Sequence, residues 1–395
     1  MKSKMRIIIF VLILFPGVHN LVYSQKDPVK FGKIEKADLL MTRYEPDTGV
    51  SAVVLCDYGF WNTNEFKFRR VLRIKILKKE GLNYASQVFF GSEKAVIRGI
   101  TYNLENDKII ETKLNSKSIF VERVFEDYYR LRVAMPNVIV GSVIDLEIGF
   151  PGPPDKWHFQ SGIPVIWSEL RLPESNIVEF KKTYSGYEPL YISERTRWVA
   201  KDMPAFKEEP FTNSIENYIT KFDIEILSLS FYGNIADFAT DWDAVAHRLD
   251  ETYYFGTQLH TGLFLNTLSK EIEVKYDTDF DRMKAAYEEV KKIKWNGYES
   301  LFTSDDGLQK AYKNKTGNSA DINLILVVLL RKLNLNCNPV ILSTRSNGQI
   351  NFSNPSLSKL NYVIALVRIK DKEYLLDANV FLLKILPYVS SLSIF

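Results

Sequence analysis

The hydrophobic period of this chain changes once, near residue 239, and that change constrains its architecture more than any other feature. From about residue 36 to 235, apolar and aromatic residues come in short runs broken by turn residues, as in SAVVLCDYGFW, FRRVLRIKIL, SQVFFGS, SVIDLEIGF and ITKFDIEILSLSFY. The segment Val71-Leu72-Arg73-Ile74-Lys75-Ile76 alternates apolar with polar, the two-residue repeat of a half-buried strand. Many such strands at short spacing predict an all-β, sandwich-like region. LENDK at 104–108 is expected to close a hairpin between ITYN and IIETK, and FPGPPDK at 150–156 is unsuited to a central strand because proline donates nothing to the ladder.

Beyond the change the spacing is helical. TDWDAVAHRLDETYY sets Trp242, Val245, Ala246 and Leu249 on one side, behind a Thr/Asp start. FDRMKAAYEEVKKI sets Met283, Ala286, Tyr287, Val290 and Ile293 on one stripe, and its Lys and Glu residues form a solvated face rather than a binding patch. KTGNSADINLILVVLLRKLNL, residues 315–335, carries apolar residues on every face and predicts a helix buried nearly all round. After Asn334 strand patterns return in NPVILSTR, NYVIALVRIK and KEYLLDA. The expected fold class is α+β, with an all-β sandwich-like domain at 36–235 and an α+β domain at 240–395.

The first residues, MKSKMRIIIFVLILFPGVHNLVYSQ, have the layout of a secretory signal peptide, with Lys2, Lys4 and Arg6 ahead of an apolar run and cleavage expected after Ser24. The run is shorter than the roughly 20 residues a bilayer span needs. No transmembrane span is expected once the leader is cleaved. Its removal brings the formal charge of +3 to zero, which argues against nucleic acid as a partner. The chain ends in FLLKILPYVSSLSIF, apolar to its last residue, whereas most domains end at polar, exposed positions. The expectation is a chain that stops inside a longer protein.

Cys56 and Cys337 are the two cysteines, and their apolar neighbours mark them as packed core thiols. A disulfide framework is excluded. His158, His247 and His260 lack metal-ligand spacing and no CxxC occurs, so neither a metal nor a cofactor is expected.

Ser319 stands at the start of the apolar helix, where its oxygen and that of Asp321 could cap free N–H groups or where a nucleophile would sit. A serine nucleophile needs a positioned base, and every histidine of the chain precedes it. The order of a buried helix led by a nucleophile position, then strand, loop, strand and a strand ending in Asp resembles the transglutaminase-like superfamily. That family uses a Cys, His, Asp triad. The resemblance places the cysteine position at Ser319, the histidine position at Asn361 and the aspartate position at Asp377. Only the aspartate is kept, and asparagine cannot accept and return a proton near neutral pH.

MPNVIVGSVIDLEI, FQSGIPVIWSELRLPE, RWVAKDMPAFKEEPF, KWNG and PVILSTRSNG occur in order and resemble the domain of unknown function 3857, which precedes transglutaminase-like domains in bacterial envelope proteins. The resemblance covers about residues 40–380. It implies an exported protein, in the periplasm or at the cell surface of a Gram-negative-type bacterium, whose degenerate cleft serves binding or structure. Its partner would be a protein, peptide or glycan of the envelope. Trp295 and Tyr298 are candidates to line a groove beside that cleft, or else to pack at a helix end. The alternative function is a serine-based amidase or acyl transferase in which an upstream histidine reaches Ser319.

Overall fold

The computed structural model describes residues 26–125, 128–210, 212–231, 234–237, 241–353, 355–379 and 386–387. The leader at 1–24 and most of the apolar C-terminal stretch lie outside the described residues. The fold is α+β. Strands dominate the first part, where an eight-stranded sheet runs in the order Ile192–Ser193, Arg197–Met203, Val165–Arg171, Ala52–Asn62, Lys67–Ile76, Val143–Pro151, Val96–Glu105 and Lys108–Lys113. Ala52–Asn62 and Val165–Arg171 run parallel. A parallel pair needs a long crossover, and here the intervening strands supply it.

Two smaller sheets face the large one. One joins Ser86–Gly91, Tyr128–Ala134 and Ile119–Phe125; the other joins Val178–Ser185, Lys221–Phe231 and Asn234–Asp237, with Lys156–His158 alongside. Leu72, Ile74, Leu146 and Ile148 of the large sheet share one hydrophobic cluster with Leu131 and Val133 of the first and Phe222 and Ile224 of the second. The LENDK hairpin turns at Asn106 and Asp107, both with positive φ (47° and 65°), as a tight hairpin turn requires. Strand Val143–Pro151 extends into the proline stretch and ends there, with Phe150 opposite Phe68.

The polar half of the Val71–Ile76 alternation does not face water. Residues 26–44 cross that face of the large sheet as a strap and present carbonyls to it. Arg73 donates to Lys33 O (2.7 Å), Lys30 O (3.2 Å) and Asp145 Oδ2 (2.9 Å). Lys75 Nζ donates to Leu39 O (2.7 Å) and Gly141 O (2.6 Å), and burial pushes its pKa down to about 8. Asp27 accepts from Tyr58 Oη (2.7 Å) and Arg69 (3.1 Å). Two-residue alternation identifies which residues share a face. It does not say whether water or chain covers the polar one.

Beyond a single short helix at Lys36–Leu40 in the strap, the helical part opens with Trp242–Glu251, whose first turn is capped by the Asp241 side chain, and includes Asn266–Lys275, Asp279–Val290, Gly307–Asn314 and Ser319–Lys332. The last of these is central. It is buried from Ser319 to Leu330 and packs on Asp279–Val290, Gly307–Asn314 and strand Tyr362–Ile369. That strand lies in an antiparallel sheet ordered Asn336–Leu342, Tyr362–Ile369, Lys372–Leu376 and Leu386–Pro387. Pro339 is tolerated because its strand is at the edge. Cys337 and Cys56 are buried free thiols; burial raises both pKa values, that of Cys337 to about 12. Among the described residues no helix is long and apolar enough to cross a membrane.

Candidate functional site

A short parallel bridge between Lys294–Trp295 and Thr316–Gly317 brings the chain at 296–305 over the start of the central helix. The cap of that helix is Asn318, not Ser319. Asn318 Oδ1 accepts the Asp321 N–H at 2.8 Å while Asp321 Oδ2 accepts the Asn318 N–H at 2.9 Å, a reciprocal capping box. Asp321 Oδ1 accepts a further N–H from Ser304 at 3.0 Å. Burial raises the Asp321 pKa against the pull of these donors. Gly317 is required here, because a β-carbon would stand 2.7 Å from Asp321 Cβ.

Ser319 is fully buried in the first turn. Its Oγ accepts the Ser300 N–H at 2.8 Å and donates to Ser300 O at 3.1 Å, and its own N–H donates to Tyr298 O at 3.1 Å. The hydroxyl thus both accepts from and donates to the backbone of one residue, Ser300. A nucleophilic serine instead gives its proton to a base.

Asp377 ends strand Lys372–Leu376. Its Oδ1 accepts from Asn323 Nδ2 (3.0 Å) and Asn379 N (3.0 Å), and both oxygens lie within reach of Tyr362 Oη (3.2 and 3.0 Å). Asn379 Nδ2 donates to Tyr362 Oη at 3.1 Å, and Asn323 ties the cluster to the helix by accepting from Ala378 N at 2.8 Å. Burial, then the charge of Asp377, raises the Tyr362 pKa well above its usual value. The phenol is therefore a donor at neutral pH.

Asn361 takes other partners. Its Oδ1 accepts the Thr344 N–H and its Nδ2 donates to Thr344 Oγ1, both at 2.8 Å. The three triad-type positions thus do not bond one another: Ser319 holds Ser300, Asn361 holds Thr344, and Asp377 holds Tyr362 and Asn323. Residues missed in the sequence are Tyr362, Asn323, Ser300 and Thr344. Asn323 carried a usable signal, since a polar residue within an otherwise apolar, buried helix requires a partner.

Trp295 and Tyr298 lie on the outer side of the same loop. Trp295 Nε1 donates to Tyr298 O at 2.9 Å, and the Tyr298 hydroxyl donates to Glu122 of the three-stranded sheet. The Arg130 guanidinium sits 5.0 Å from the Tyr298 ring centre, and Arg123 pairs with Asp305 at 2.7 Å. His158 bonds Glu216 at 3.1 Å in the β part, His247 pairs with Glu251 at 3.4 Å on its own helix, and His260 is exposed. Among the described residues no group of three or more His, Cys, Asp or Glu side chains is placed to hold a metal.

A bacterial protein shares this α+β fold. A solved structure from Parabacteroides distasonis, described as a "putative protease", superposes with a TM-score of 0.58 at 12% identity, covering 82% of this chain and 67% of the other. The periplasmic domain of TgpA from Pseudomonas aeruginosa aligns over 73% of this chain and 88% of its own at 10% identity, but its TM-score of 0.24 is too low to establish a common fold. No protein-family model and no curated protein matches the sequence.

Proposed function

We propose that this chain is an exported, non-catalytic protein of transglutaminase-like fold, with a β-sandwich of the domain of unknown function 3857 type at 36–235 and a degenerate domain at 240–395. Its role is binding or structural, in the envelope of a Gram-negative-type bacterium. The observation that carries this reading is the Ser319 hydroxyl, buried and bonded in both directions to the Ser300 peptide. Tyr362 supports it from the other side of the site, since the group that meets Asp377 is a phenol with a raised pKa and cannot serve as a base near neutral pH. Of the histidines that an active serine would recruit, His247 lies 3.4 Å from Glu251 on its own helix and His260 is exposed, whereas the Ser319 hydroxyl is buried and bonded to Ser300.

The test combines chemistry with stability. Incubation with a fluorophosphonate, and separately with a glutamine-donor peptide and a fluorescent amine, is expected to give no labelling of Ser319 and no incorporation. Ser319→Ala leaves the Ser300 N–H and C=O buried without a partner and is expected to lower stability by about 1–3 kcal/mol. A serine kept for chemistry under strain would leave stability unchanged or raised on removal. Labelling at Ser319, or an activity lost in Ser319→Ala, would establish the serine amidase or acyl transferase instead.

A further inference from the structure

Ser319 and Asn361 have in common that each grips the backbone of a loop that in turn touches the β part. Ser319 holds Ser300 at 2.8 and 3.1 Å. The loop around Ser300 is met from outside by the hairpin Ile119–Phe125 and Tyr128–Ala134: Glu122 accepts from the Tyr298 hydroxyl, Arg130 covers the Tyr298 ring at 5.0 Å and Arg123 pairs with Asp305 at 2.7 Å. Asn361 holds Thr344 by both ends of its carboxamide, at 2.8 Å each. The next residue, Arg345, donates to Thr212 O at 2.9 Å and to Asn213 O, and Gln349 N–H donates to Asn217 Oδ1 at 2.8 Å.

We infer that Ser319 and Asn361 are positioning residues, each fixing one of the loops through which the helical part holds the β part, beside a further ion pair of Lys359 with Asp223 at 2.5 Å. The outer contacts are exposed, and exposed ion pairs and hydrogen bonds are individually weak. They hold two bodies together only when the loops that present them are already ordered. A hydroxyl or carboxamide closed on a loop peptide supplies that order, whereas a cysteine and histidine kept free for chemistry would not. Ser319 and Asn361, which the resemblance sets at triad positions, thus serve here as two joints, while Asp377 meets Tyr362 and serves the interior of the helical part. The inference deepens the non-catalytic reading and rests on it.

Hydrogen exchange followed by mass spectrometry on the full chain tests it. Ser319→Ala is expected to speed exchange about tenfold at 298–305 and in the 119–134 hairpin, with 212–217 unchanged. Asn361→Ala is expected to do the reverse, loosening 344–349 and 212–217 while the hairpin stays protected. Arg123→Ala and Arg345→Ala change exposed side chains, leave both anchors in place and report on each joint should an anchor variant fail to fold. Each is expected to loosen its own β segment alone. Exchange that rises uniformly, or stays within the anchored loop, or is unmoved at both β segments by the arginine variants, would overturn the inference. Fluorophosphonate labelling of Ser319 would count against the non-catalytic reading, so the two failures are separable.

Discussion

Asp145→Ala is expected to lower the unfolding free energy by about 3–5 kcal/mol, with a fall in Tm of the order of 10 °C by calorimetry. Asp145 is fully buried on the strap-covered face of the large sheet, where it accepts from Arg73 at 2.9 Å and from Gly32 N at 2.9 Å. Removing it leaves the Arg73 guanidinium buried with hydrogen bonds to the carbonyls of Lys30 and Lys33 alone and the weaker attraction of the Asp38 carboxylate. The cost is that of an uncompensated charge, not of one lost hydrogen bond. A second variant distinguishes these. Asp145→Leu combined with Arg73→Met removes both charges, and it is expected to lie at least about 2 kcal/mol closer to the parent than Asp145→Ala. Equal losses in the single and double variants would count against a coupled buried pair.

The pH dependence has a definite sign. Burial raises the Asp145 pKa even though Arg73 opposes it. An acid whose folded pKa lies above its unfolded value contributes stability that is complete below the unfolded pKa and is lost as pH rises through the folded one. The stability difference between the parent and Asp145→Asn should therefore shift in favour of the parent as pH falls from 7 toward the carboxylate range. Chemical denaturation of both proteins at matched pH measures it.

The period change near residue 239 was legible because alternation and helical spacing are local properties of the sequence. So was the helix at 319–332, whose apolar residues fill every face. The strap was not legible. Residues 26–44 have no strong periodicity, and nothing local to Arg73 or Lys75 reveals that carbonyls some 35 to 45 positions earlier lie over them. The parallel neighbour of Ala52–Asn62 is a similar case, set by a crossover of about a hundred residues.

The site shows the limit most directly. Asn361 stands one position before strand Tyr362–Ile369 and turns to Thr344, while Tyr362 turns to Asp377. Successive residues of an extended chain point to opposite sides, so an assignment shifted by one position reaches the opposite face. Motif order alone does not tell which of two neighbouring side chains meets the carboxylate. Only the register of the sheet decides which side chain meets the carboxylate.

Asp321→Ala is the second large loss, expected at about 3–5 kcal/mol, because it leaves the buried Asn318 N–H and the part-buried Ser304 N–H without acceptors and removes half of the capping box. The effect should exceed that of Ser319→Ala, which strands the N–H and C=O of Ser300 but leaves the capping box intact, and the comparison carries meaning for function. In a working site the acid near a nucleophile orients a base, and its loss is read in rate. Here Asp321 closes the start of a helix whose next nine residues, from Ile322 to Leu330, are buried in the middle of the core. On the non-catalytic reading proposed above, its loss should be read in stability and in exchange at 298–305. Denaturation of Asp321→Ala beside Ser319→Ala measures the order of the two effects. If Ser319→Ala proved the more damaging, the loop over the helix would depend on the serine more than on the carboxylate.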